Sequence, residues 1–125
     1  MRRGAPSEAL PEGVRQDTRK HTRHVLRPEA DAVAEYLAAP SEDAWRRFAA
    51  RYAETVEARF ERDRRPFDEL AALATRTTVH LGCSCPTRRV PDVRRCHTWL
   101  ALEFMRARYP ELEVRFPDIR DAGSS

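Results

Sequence analysis

The chain has 125 residues, with 23 basic and 20 acidic side chains, 41% hydrophobic residues, 8% aromatics and three cysteines. That length holds a single domain, and the apolar share rules out a wholly disordered chain. With four glycines and three cysteines, collagen-like and disulfide-stapled classes are excluded as well.

Of the 23 basic residues, 22 are arginine, and only Lys20 is lysine. Seven bases against three acids lie in residues 1–27, whereas the remainder carries 16 bases against 17 acids. The alkaline balance therefore belongs to the N-terminal arm. Residues 1–27 are read as a basic, largely irregular arm, with His24-Val25-Leu26 as a short strand inside it. Such an arm attracts anionic partners, nucleic acid among them, but no aromatic residue alternates with its bases to give a stacking platform. His21 and His24 are read as incidental. The opening Met-Arg-Arg-Gly-Ala-Pro-Ser-Glu lacks the apolar core of a secretory signal. No apolar run approaches the ~20 residues of a membrane span. The expected setting is cytoplasmic, away from membranes, with reduced thiols.

Pro28 suits the first turn of a helix. The spacing predicts a helix over 29–39, with Ala30, Val33, Ala34 and Leu37 inward. Ser41 is an N-cap candidate for a longer helix in which Trp45, Phe48, Tyr52, Val56 and Phe60 form one apolar stripe. Glu42/Arg46 and Asp43/Arg47 are spaced as i,i+4 pairs. A third helix carries Phe67, Leu70, Leu73 and Ala74 inward. The β-branched run 77–82 reads as a strand ending at Gly82. Asp92 is placed to cap a helix from Val93 to about Tyr109, and alternation over 112–116 reads as a further strand. Strand, helix and strand in this span form a right-handed parallel βαβ unit. The expected class is α/β, with N-terminal helices followed by that unit. The expected domain covers 28–117, and 118–125 is a tail.

All three cysteines lie in the segment Cys83-Ser84-Cys85 to Cys96-His97. In a βαβ unit the strand's C-terminal end lies beside the next helix N-terminus, which is where open α/β sheets bind ligands. Three chemistries fit. Cys83, Cys85, Cys96 and His97 are candidate zinc ligands, at most three at once, since neighbouring helical positions 96 and 97 diverge by about 100°. Cys96 in a first helical turn, beside Arg94 and Arg95, is a candidate reactive thiol, with Cys83 as its partner. Arg88, Arg89, Arg94 and Arg95 form a candidate site for a small anionic ligand. Cys83 to Arg89 also satisfies the Cys-x5-Arg spacing of cysteine phosphatases, without the histidine that precedes that cysteine. Burial of the cysteines as small apolar residues accounts for the same pattern without chemistry. His80, between Val79 and Leu81, reads as structural.

The spacing Trp45-x2-Phe48-x3-Tyr52, the inward Leu70/Leu73 helix, the strand Val79-x-Leu81-x-Cys83 and the dipeptide Cys96-His97 together resemble the YeaO-like family, domain of unknown function 488. The resemblance runs from about Leu26 to Phe116. It implies a small Rossmann-like α/β fold and supplies no reaction. The family's opening strand has no evident counterpart before Leu26, and the Cys83–Thr87 stretch is richer in thiols than the family pattern.

Overall fold

The computed structural model describes residues 1–4, 14–82 and 95–116. Among these the element order is β1 (Arg2–Gly4), β2 (Val14–Asp17), α1 (Ala30–Ala38), α2 (Glu42–Arg62), α3 (Arg65–Arg76), β3 (Val79–Gly82) and α4 (His97–Arg108). The chain is thus mixed α/β and rich in helix. Its strands form one sheet in the order β1-β3-β2, and both pairings are parallel. Parallel neighbours require a crossover, and α1, α2 and α3 form it between β2 and β3.

β3 lies in the middle because its sequence suits burial on both faces. Val79, Leu81, His80 and Gly82 are all buried, as expected for the inner strand of a parallel sheet. The flanking strands correct the expectation of an irregular arm. Arg2 pairs with His80 and Gly4 with Gly82 on one side, and Val14 pairs with Val79 and Asp17 with Gly82 on the other. The sequence Arg-Arg-Gly and Val-Arg-Gln-Asp has little intrinsic strand character, so pairing with β3 decides these segments. Two strands thus precede the helices, at Arg2–Gly4 and Val14–Asp17, segments the sequence reading left irregular. Conversely, 112–116 contributes an isolated bridge at Arg115 instead of a strand. Arg115 N–H donates to the Met1 carbonyl at 3.0 Å, and the Met1 nitrogen donates to the Glu113 carbonyl at 2.8 Å. This segment therefore runs beside β1, not beside β3.

The helices follow their sequence signals more closely. Ser41 Oγ accepts from Ala44 N–H at 3.0 Å, so the α2 N-cap is as expected. The α2 stripe is buried at Trp45, Phe48, Tyr52 and Val56, with Phe60 packed at its margin. The predicted i,i+4 pairs are replaced by Arg46–Asp43 and by Glu42 with Arg95. α3 buries Phe67, Leu70 and Ala71. On α1 the inward face is shifted: Ala32 is buried and Val33 and Tyr36 are half-buried, while Ala30 and Ala34 are exposed. Tyr36 sets this rotation because its ring meets Trp45 at 5.6 Å and Phe48 at 6.0 Å. Rings at these separations add to burial. A second aromatic group joins Phe60, Phe67 and Phe104 at 5.3–5.9 Å.

The link from β2 to α1 is a built turn and not the strand expected over 24–26. Arg27 N–H donates to the His24 carbonyl. Arg59 of α2 donates from Nη1 to the carbonyls of Val25 (2.8 Å) and Arg27 (2.7 Å). Leu26, fully buried, presents its carbonyl to the Tyr52 hydroxyl at 2.7 Å. His24 is therefore structural. Its Nδ1 accepts from Leu26 N–H at 3.1 Å, which leaves Nε2 as the donor to Gln16 Oε1 at 2.6 Å. Burial, with the nearby His97 imidazole, holds its pKa down at about 4.

Two expectations follow. Leu102 is fully buried, and Leu102→Ala should lower unfolding free energy by about 2–5 kcal/mol in chemical denaturation. His24 is neutral in the native state to about pH 4 but titrates near 6.5 when unfolded. The unfolded state then binds more protons between those values, so this contribution is complete above the unfolded pKa and is lost as pH falls toward 4. Its size, discounted for partial exposure, is on the order of 2 kcal/mol. Denaturation curves across that window should flatten in His24→Asn, which keeps an acceptor for Leu26 N–H; an unchanged slope would show that another group drives it.

Candidate functional site

The C-terminal ends of β2 and β3 and the N-terminus of α4 meet at one place. Thr18, the residue after β2, donates from its backbone N–H to the Gly82 carbonyl at 2.9 Å. Its hydroxyl donates to the same carbonyl at 3.0 Å. Thr18 is fully buried, and its Oγ1 also lies 2.8 Å from His97 Nε2, on the first residue of α4. One short side chain thus ties both strands and the helix together.

This geometry couples the imidazole to the strand ends. A hydroxyl has one proton and a carbonyl only accepts. When Thr18 Oγ1 gives its proton to Gly82, its contact with His97 is satisfied by an N–H on Nε2. Neutral His97 then has Nδ1 as its basic nitrogen, and Cys96 Sγ is 4.0 Å from it. The ring is steadied from its flank by Tyr52, centroid to centroid 6.4 Å. Tyr52 in turn continues the row Phe48, Trp45 and Tyr36. Burial pushes the Tyr52 phenol well above its ordinary range, so it is a neutral donor to Leu26.

Cys96 is 2% exposed and carries its sulfur as a thiol. It was expected in a first helical turn, within a helix starting at Val93. Instead it is the N-cap of α4, with extended backbone (φ −118°, ψ 143°), and the helix begins at His97. This corrects the zinc argument too. Helical neighbours diverge, but Cys96 is outside the helix, so its sulfur and the His97 ring face each other. Thr98 Oγ1 donates to Cys96 Sγ at 3.2 Å.

The other expected site residues separate into two groups. Cys83, Cys85, Arg88, Arg89 and Arg94, together with the proposed Asp92 cap, lie outside the described residues. Arg95 is turned elsewhere: its Nη2 donates to both Glu42 carboxylate oxygens at 2.7 and 2.8 Å, and its guanidinium lies 5.6 Å from the Trp45 ring. Among the described residues no group of three His, Cys, Asp or Glu side chains is arranged to hold a metal ion. No helix among them is long and apolar enough to cross a membrane.

Sequence reasoning missed Thr18, Gln16, His24 and Tyr52. The usable signal was Asp17-Thr18-Arg19 at the end of a strand, where parallel sheets place functional groups, but β2 itself was not recognised. Asp17 shapes this rim. Arg19 donates to it from Nε at 3.0 Å and Nη2 at 2.7 Å, and from its backbone N–H at 3.0 Å. The Arg19 guanidinium, first among these, brings the Asp17 carboxyl down to about 2, so it is ionised throughout the neutral range.

No curated protein and no solved structure gives a significant match to this chain. Residues 2–109 match the family model described as the active DUF488-N3 subclade, DUF488-N3a. The match spans most of the chain, β1 and β2 included, and agrees with the resemblance carried by the Trp-Phe-Tyr stripe and the Cys96-His97 dipeptide. The chain therefore belongs to the DUF488 family of domains of unknown function, within its active N3a subclade.

Proposed function

We propose that Cys96, His97 and Thr18 form the reactive centre of a thiol-dependent enzyme, set at the C-terminal edge of a small Rossmann-like sheet. The observation that carries the reading is the double engagement of Thr18 Oγ1, 3.0 Å from the Gly82 carbonyl and 2.8 Å from His97 Nε2. In this reading it directs the basic Nδ1 toward Cys96. A nucleophile, a base and a group that orients the base are the parts of an activated-nucleophile site, and here a threonine takes the orienting role that a carboxylate has in other triads. The subclade's description as active supports a site that does chemistry.

The proton accounting is simple. Cys96 Sγ passes its proton to His97 Nδ1, giving a thiolate and an imidazolium whose Nε2–H stays on Thr18. The Thr98 hydroxyl, 3.2 Å from the sulfur, and the start of α4 favour the thiolate. The thiolate attacks an electrophilic carbon of the substrate, and the bond from that carbon to the leaving group breaks as His97 returns the proton to it. Water deprotonated by His97 then cleaves the S–C bond and restores the thiol. The 4.0 Å separation shortens on substrate binding, as contacts of this type do in other enzymes. We take Cys83, next in the chain after Gly82, and Cys85 as accessory thiols, and Arg88, Arg89 and Arg94 as candidate contacts for an anionic group of the substrate. A reducing, cytoplasmic setting fits a working thiol.

Peptide-mapped alkylation with iodoacetamide between about pH 5 and 9 tests the reading. Cys96 should react with a midpoint below the ordinary thiol value of about 8.5. His97→Gln should slow it about tenfold or more near pH 7, and Thr18→Val should act in the same direction. Equal rates in all three proteins would contradict the proposal. Alkylation that appears only after a chelator would assign the thiols to a metal instead.

A further inference from the structure

A second feature stands apart from the thiol centre. Where the β2–α1 turn meets the C-terminal half of α2, the fold leaves an open cavity of about 430 Å3. Four basic side chains line it: Lys20 and Arg27 from the turn, Arg59 and Arg62 from α2. Glu29 is the one acidic residue among its lining residues, and Thr55 Oγ1 donates to that carboxylate at 2.9 Å.

What sets this pocket apart is that bases without a carboxylate partner are gathered around it. Arg19, Arg46, Arg51, Arg64, Arg65, Arg95, Arg108 and Arg115 each have a carboxylate partner. Among the described residues, Lys20, Arg27, Arg59 and Arg62 have none; Arg23, Arg47, Arg76 and Arg106 also have none but do not line this cavity. Arg27 donates from Nη1 to the His24 carbonyl, and Arg59 donates from Nη1 to the Val25 and Arg27 carbonyls. Arg59 is thereby anchored, and its guanidinium is held beside like charge. Burial, then the neighbouring Arg27, lowers the Arg59 pKa. Gathering four cations around one concavity has a repulsive cost that a bound anion removes. Exposed arginines dispersed over a surface carry no such cost.

We infer that this pocket binds the phosphate group of a small molecule, with Lys20, Arg27 and Arg62 contacting its oxygens and Arg59 holding the frame. The volume lies within the ~300–1,000 Å3 of small-molecule sites. A concave cluster of guanidinium forks suits a compact phosphate or diphosphate. A nucleic-acid backbone would call for an extended basic track with stacking aromatics, and no aromatic side chain lines this cavity. The anion site anticipated at Arg88–Arg95 used different residues, one of which, Arg95, is engaged by Glu42.

Isothermal titration of the full chain with inorganic pyrophosphate tests the inference, because that probe offers no electrophilic carbon, and variants at Lys20 and Arg62 separate this pocket from the arginines assigned to the thiol centre. The expected result is saturable binding that weakens with added salt and weakens at least about tenfold in Lys20→Gln/Arg62→Gln. Arg47→Gln/Arg76→Gln, which removes the same charge from exposed positions outside the cavity, should bind as the parent does. Thermal unfolding confirms that both double variants are folded, and Arg62→Gln alone serves if the first pair is not. No saturable binding, or equal losses in the two double variants, would overturn the inference. So would binding of a single-stranded oligonucleotide that depends on Lys20 and Arg62 while pyrophosphate does not bind.

Discussion

The structure turns on the carbonyl of Gly82. It accepts both the N–H and the hydroxyl of Thr18, and through that hydroxyl it reaches His97. A buried carbonyl and a buried hydroxyl must be satisfied within the protein, since an orphaned partner costs about 1–3 kcal/mol. The register of β2 against β3, the position of the β2–α1 turn and the orientation of the α4 N-terminus are all constrained by this one group. Gly82 ends β3 at the level where Gly4 and Asp17 also pair. The ends of the three strands therefore lie at one level, and through Thr18 that level meets the start of α4.

Packing supports this junction from the side. Tyr36, Trp45, Phe48 and Tyr52 are in successive ring contact, and the row ends on the His97 imidazole. The apolar stripe of α2, whose main contribution is to the core, also gives the imidazole a fixed wall. Tyr52 joins the two tasks: its ring flanks His97 and its hydroxyl holds the Leu26 carbonyl. Packing and polar satisfaction agree on one geometry here, as they do in well-specified cores.

The sequence made the helices legible because each carries its own signal: the Ser41 cap, the three-four spacing from Trp45 to Phe60, and Pro66 at the entry to α3. β3 was equally visible from Val79 and Leu81. β1 and β2 were not, because a three-residue and a four-residue strand with one apolar residue between them exist through parallel partners distant in the chain. The error propagated. With β2 unrecognised, Thr18 and His24 seemed to belong to a charged arm, and Cys96-His97 stood without the residue that orients it. The helix start was also placed too early, since Asp92 resembles a cap while the chain takes extended geometry at Cys96. The junction of β3 with α4 was legible in the sequence; the residues that tie it together, Thr18 above all, were not. Net charge misled in a similar way. The sum does not show that Lys20, Arg27, Arg59 and Arg62 gather around one concavity, which is a property of three-dimensional placement.

The central claim is that Thr18 sets the tautomer of His97 and so directs its basic nitrogen at Cys96. Nitrogen-15 NMR of the imidazole, in protein labelled at histidine, measures this directly. A neutral His97 with the proton on Nε2 and an unprotonated Nδ1 is expected at neutral pH, with that preference lost in Thr18→Val. A His97 protonated on Nδ1 in the parent protein, or a tautomer indifferent to Thr18, would contradict it.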